Sequence, residues 1–186
     1  LNEILIPQNT LIVLCGPAGS GKSTWAAKHF SETQIVSSDE CRALVFDDSA
    51  NQSVSPHAFD LMHFIIEKRL TLGRLTIADA TNLRREHRRD WIEIASRFFF
   101  NTAAIVFYVP VETCLERNGG RDRKVPSQAL MNQHESLEET LRTIHSEGFN
   151  YVYVLNQDSQ SGAAVTIGRY VSRRPPRPVP ESESRA

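Results

Sequence analysis

An α/β fold built on a parallel sheet is predicted by three features of the 186-residue sequence. Short, wholly apolar runs alternate with amphipathic segments, as in a parallel sheet covered on both faces. Glycine, proline and polar turn residues bound those runs. A glycine-rich loop joins the first run directly to a helix. Five runs read as strands, so the expectation is a five-stranded parallel sheet flanked by helices across residues 1–171, with 172–186 as a proline-rich tail or linker.

The elements follow in order. "LIVLC" (11–15) is a buried-strand run, followed by the glycine loop and the helical "KSTWAAKHF". "QIVSS" reads as the next strand and "DECRALVF" as a short helix. The polar loop "DDSANQSVS" leads to Pro56, which suits the first turn of a helix over 57 to about 72. Phe59, Met62, His63, Ile66 and Leu70 share one face of that helix, and Gly73 supplies a stop. "RLTIAD" is a strand. "RREHRRDWIEIASRFF" is helical, with Trp91, Ala95, Phe98 and Phe99 as its expected core stripe. "TAAIVFYV" is a strand ended by Pro110; the helix "VETCLERN", the break "GGRDRK", a longer helix through Ser146 and the strand "YVYVL" complete the pattern.

Composition bounds the function. With 40% hydrophobic and 23% charged residues, the chain has the balance of a globular protein. A formal net charge of -1 favours no particular partner, since local clusters can be basic in a neutral chain. Cys15, Cys41 and Cys114 lie far apart without metal-ligand or disulfide spacing, which fits a reducing compartment. The longest apolar run is far short of a membrane span, and no signal segment opens the chain. The expected location is cytoplasmic.

"GPAGSGKS" (16–23) matches G-x-x-x-x-G-K-[ST] in its proper context, strand before and helix after. Backbone N–H groups of such a loop close around phosphates, and the helix N-terminus adds positive potential. The phosphate-binding set is Gly16, Gly19, Ser20, Gly21, Lys22, Ser23 and Thr24. Lys22 is positioned for the β- and γ-phosphates, and the Ser23 hydroxyl for magnesium. The motif marks a nucleoside-triphosphate site, with ATP and Mg2+ expected.

"SSDECR" (37–42) lies at the next strand-to-helix junction, facing the crevice where α/β sheets bind ligands. Ser37 and Glu40 read as a helix capping box, which leaves Asp39 and Arg42 without a task. These two, three residues apart, share a helix face. Asp39 can orient an acceptor hydroxyl and take its proton, while Arg42 can hold a neighbouring phosphate.

"IADATN" ends a strand at Asp79, a candidate contact to magnesium-bound water or an ordinary turn acid; Thr81 and Asn82 are candidate acceptor contacts. Arg84, Arg85, Arg88 and Arg89 crowd the first turns of the next helix, where the dipole prefers acids. They read as a polyanion patch or a solvated face. In "ERNGGRDRK", Arg117, Arg121, Arg123 and Lys124 surround a glycine break, as expected of a helical arginine-bearing lid over triphosphate charge.

"GPAGSGKSTWAAKHF", "VSSDECR", "AFDLMHFIIEKRL", "TIADATN", "ERN" and "EGFNYVYVLN" occur in an order that resembles the 5′-polynucleotide kinase domain of bacterial polynucleotide kinase-phosphatases. The resemblance spans about 1–156 and implies a P-loop kinase phosphorylating 5′-hydroxyl ends of RNA or DNA from ATP with magnesium. It implies Asp39 as general base, Arg42 on the acceptor side, Arg117 as lid arginine, and Gln52 and Thr81 in the acceptor pocket. It also implies linked phosphatase and ligase modules outside this sequence. Two other classes stay open: a kinase of a nucleoside, sugar or adenylylsulfate-like metabolite, and a regulatory ATPase. The GTPase signatures D-x-x-G after the "TIAD" strand and N-K-x-D are lacking.

Overall fold

The protein is described from a computed structural model, covering residues 3–120 and 124–169. The expected sheet is present: β2 (Thr10–Cys15), β3 (Ile35–Ser37), β4 (Thr76–Asp79), β5 (Asn101–Phe107) and β6 (Tyr151–Leu155). Its order is β3-β4-β2-β5-β6, parallel throughout. The strand leading into the glycine loop is thus central, and Leu14 of β2 pairs with Asp79 of β4.

Central placement explains the unbroken apolar run of β2, whose residues are all buried. Its side chains alternate between two cores. Leu11, Val13 and Cys15 join a cluster with Met62 and Ile66 of α3 (Ser55–Thr71), Trp91 and Ile94 of α4 (Arg85–Arg97), and Leu137 of α6 (Ser127–Thr143). Ile12 and Leu14 face the opposite cluster, with Trp25 and Ala26 of α1 (Lys22–His29).

A second sheet completes that opposite face. β1 (Glu3–Pro7) pairs in parallel with β7 (Ala164–Gly168), and Ile4 and Ile6 are fully buried over the α1 side of the core. The sequence reading assigned neither strand, because each is short and finds its partner at the far end of the chain. A short helix, α7 (Gln157–Gly162), links β6 to β7.

α4 corrects the expected core stripe. Ile94 is buried and Phe99 is 51% exposed, because the helix ends at Arg97 and Phe99 takes a left-handed φ of 58°. The tail 172–186 lies outside the described residues, as do Arg121 and Arg123. Among the described residues, no helix is long and apolar enough to cross a membrane.

Candidate active site

The carboxyl ends of β2, β3 and β4 open into one cavity of about 880 Å³. Each wall traces to a local feature of the chain. From β2 and α1 come Gly19, Gly21, Lys22 and Ser23. The loop needs glycine at 19, where φ is +80° and an added Cβ would stand 2.7 Å from the Cys114 carbonyl oxygen. Its lysine folds back on the loop: Nζ donates to the Pro17 carbonyl at 2.8 Å and to Ser20 Oγ at 3.4 Å. Ser20 is sealed beneath it, and Thr24 is exposed on α1 outside the cavity lining.

The second wall is the junction of β3 with α2 (Ser38–Phe46). Ser37 caps the helix, its Oγ accepting from the backbone N–H groups of Asp39 and Glu40 at 3.2 and 3.5 Å. Capping and site-building coexist, because the cap turns Asp39 toward the cavity. Arg42 pairs with Asp39 through Nη2, while its Nε donates to the Ser49 carbonyl at 2.9 Å. Arg42 is 5% exposed and the Asp39 side chain 54%, so the guanidinium is fixed and the carboxylate reaches open space. Burial, with the charges of Asp79, Glu32 and Asp39, raises the Glu40 carboxyl above its ordinary value.

The third wall carries Asp79 and Thr81, and the loop before α3 brings Ser49, Ala50 and Gln52 to the same cavity. The Thr81 carbonyl accepts from Gly16 N–H at 2.9 Å, tying this turn to the start of the glycine loop. The Ser23 hydroxyl and Asp79 carboxylate are hard oxygen donors facing one space. They fit a magnesium ion, which is commonly held by one or two such groups plus substrate phosphates.

Two sequence assignments are corrected. Asn82 is 1% exposed and does not line the cavity. Its Nδ2 donates to the Leu14 carbonyl at 2.8 Å and its Oδ1 accepts from Trp91 Nε1 at 2.9 Å, so it braces the turn from behind. A left-handed φ of 46° suits asparagine there. Arg88 is no part of a surface patch: it is 1% exposed and paired with Glu147. Arg84, Arg85 and Arg89 are exposed, and Arg89 lies 3.3 Å from Glu93 on the next turn.

Arg117 is exposed on α5 (Val111–Gly119) and donates through Nη1 to the Gly19 carbonyl at 3.3 Å, at the loop's edge. Lys124 lines the cavity. Sequence reasoning missed Gln133 of α6, which lines the cavity and accepts from Ala18 N–H at 2.8 Å. It also missed Phe59 as a lining residue, having placed it only on a core face. No motif marks either; only their helical register puts them there.

A central strand, phosphate loop and helix, with Asp79 at the end of β4 and Asp39 just past the end of β3, define a P-loop domain of the kinase type. The chain belongs to the AAA_33 family, described as an AAA domain, which it matches over residues 11–141. It is 28% identical over 138 residues to L-seryl-tRNA(Sec) kinase of Methanococcus maripaludis, covering 69% of this chain and 52% of that protein. It therefore spans about half that relative's length. Among solved structures it resembles a chain of the Pnkp1/Rnl/Hen1 RNA repair complex, with TM-score 0.63, 22% identity, and coverage of 75% of this chain and 47% of that one. A gluconokinase from Sinorhizobium meliloti shares the fold at TM-score 0.51 and 18% identity, over 81% of this chain and 83% of its own.

Proposed function

We propose that this domain transfers the γ-phosphoryl group of ATP to the 5′-hydroxyl end of a polynucleotide. The observation that carries the reading is Asp39, whose exposed carboxylate opens into the cavity of Lys22 and Ser23 while buried Arg42 holds it from behind. An acid so placed, outside the phosphate loop, gives an acceptor hydroxyl somewhere to lose its proton.

In this reading the γ-phosphate lies between Lys22 and the acceptor oxygen. Asp39 orients the hydroxyl and takes its proton as the new P–O bond forms. The bond from γ-phosphorus to the bridging oxygen breaks, and ADP leaves with the displaced charge. Lys22 and Arg117 stabilise that charge, and Arg121 and Arg123 are assigned to the same lid. Ser23, with Asp79 nearby, would hold a magnesium ion, which would supply charge neutralisation for the phosphates. Arg42, Gln52 and Thr81 hold the acceptor end, and exposed Arg84, Arg85 and Arg89 draw in the strand.

Support comes from the RNA repair complex among the structural neighbours and from a relative named as a kinase of L-seryl-tRNA(Sec). Linked phosphatase and ligase modules belong to the same proposal. A small-molecule kinase is the second reading, favoured by the loss of Arg88 from the basic face and by the shared gluconokinase fold.

The deciding experiment offers γ-labelled ATP and magnesium with a 5′-hydroxyl oligonucleotide, its 5′-phosphorylated twin, a mononucleoside and gluconate. Label on the 5′-hydroxyl strand alone is the expected result. Label on a small molecule alone establishes the second reading. ATP hydrolysis without transfer to any of them points to a regulatory ATPase.

A further inference from the structure

Phe59 faces two ways. From α3 it packs against the main core, and it also lines the cavity that holds Asp39 and Gln52. Its ring meets His87 of α4, centroids 5.2 Å apart and planes tilted by 42°. His63 stands 6.4 Å from Phe59 and 4.5 Å edge-on from fully buried Trp91. A continuous aromatic wall therefore runs from the core to the cavity, anchored at its inner end.

The wall has a charged neighbour. Arg84 stands just before α4 and Arg85 opens it; both are exposed, three and two residues before His87. Burial, with Arg84 adding to it at His87, pushes both imidazoles below their ordinary value, so the wall is uncharged near neutral pH. A flat apolar face beside a phosphate-transfer cavity, with cations just beyond, matches the chemistry of a nucleotide end: one base and the phosphates after it. Every base presents a π-face on which such a ring can stack, whatever the sequence.

We propose that Phe59, buttressed by His87, is the stacking surface for the terminal base of the acceptor strand, whose next phosphates run toward Arg84 and Arg85. The proposal rests on the polynucleotide-kinase reading and makes Phe59 a specificity residue for it.

The test uses the whole chain and two 5′-hydroxyl oligonucleotides, one normal and one abasic at its terminal nucleotide. The wild-type protein should prefer the intact end by about tenfold or more in kcat/KM, as expected for one stacked base. Phe59→Leu, which retains apolar volume for the core, should lose that preference without a change in KM for ATP, and Phe59→Tyr should retain it. Equal use of the two ends by the wild-type protein overturns the stacking surface alone, leaving the polynucleotide reading intact. A full preference in Phe59→Leu does the same. Phosphorylation of neither strand overturns the polynucleotide reading, and the stacking surface with it.

Discussion

Arg88 and Glu147 form a two-point ion pair inside the protein. Nε donates to Oε2 at 2.7 Å and Nη2 to Oε1 at 2.6 Å, with the side chains 2% and 3% exposed. Further bonds surround the pair: Arg88 Nη1 donates to the Asn82 carbonyl at 3.0 Å and to Thr140 Oγ1 at 3.1 Å, and Thr143 donates to Glu147 at 2.7 Å. α4, the end of α6 and the turn carrying Thr81 are thereby held as one unit. An arginine with the sequence context of a surface patch serves instead as an internal brace.

Breaking one partner leaves the other charge buried, which costs about 3–5 kcal/mol. Glu147→Gln should lose that much in urea unfolding at neutral pH. Burial by itself raises the Glu147 carboxyl, but hydrogen bonds from Arg88 and Thr143 and the charge of Arg88 outweigh it and leave the carboxyl below its ordinary 4.5. A depressed carboxyl stabilises the fold above its ordinary value and loses that contribution as pH falls through the folded value. Tm of the wild-type protein should therefore fall as pH drops below about 4.5, and the glutamine variant should show a shallower fall there. Parallel acid profiles would remove the pair from the account.

The Asp39 carboxylate is the group whose loss should separate chemistry from binding. Asp39→Asn keeps an acceptor for Arg42 and leaves the Ser37 cap, which takes the backbone N–H groups, in place, but cannot take a proton. Turnover should fall by about 10²–10⁴-fold, the usual worth of a positioned base. ATP binding, measured by calorimetry, should change little. An asparagine variant with near-normal turnover would assign the acceptor's proton elsewhere.

What could be read from the chain beforehand was what is local. The phosphate loop and "SSDECR" each put strand end, helix start and functional group within nine residues, so local spacing placed Lys22, Ser23 and Asp39 at one crevice. The β1–β7 ribbon was invisible because Ile4 pairs with Val165 across nearly the whole chain. Arg88 was misread although its register carried the answer: it lies three residues before Trp91, on the stripe that enters the core. Its partner Glu147 is 59 residues away, and nothing local announced a buried acid to meet it. Asn82 failed likewise, since its bonds run to β2 and to Trp91.

Gly19 is closed to any side chain. At φ +80° an alanine Cβ would lie 2.7 Å from the Cys114 carbonyl oxygen and 3.2 Å from its Cα, both rigid backbone of α5. Gly19→Ala must move the loop or the helix, at a cost of about 1–3 kcal/mol for the strained conformation. The variant should melt lower and bind ATP more weakly, because the same shift displaces the phosphate-binding N–H groups. Full ATP affinity would show that the loop tolerates the displacement.

Arg117 makes the opposite case, being exposed and, among the described residues, donating a 3.3 Å bond to the Gly19 carbonyl. Its removal should leave Tm within about 1 °C, as expected for an exposed surface site. Turnover should nonetheless fall by about 10³-fold if its guanidinium meets charge that develops only during transfer. Lysine should restore little, since it lacks the planar fork. A normal rate in Arg117→Ala would take the lid role away from α5.

The corrected arginine cluster gives a salt experiment with an internal control. Arg84, Arg85 and Arg89 are exposed, whereas Arg88 is committed to Glu147. Each phosphate contact to single-stranded nucleic acid contributes about 0.7 to the slope of log K against log salt. Arg84→Ala and Arg85→Ala should each weaken oligonucleotide binding and reduce that slope by up to this amount, at unchanged Tm. Arg89→Ala should do less, because Glu93 at 3.3 Å already offsets part of its charge. Arg88→Ala should show the reverse signature, a large fall in Tm with the slope intact in the folded fraction. If removing Arg88 flattens the slope while Arg84 and Arg85 leave it alone, the strand takes another path and the basic face is only solvated surface.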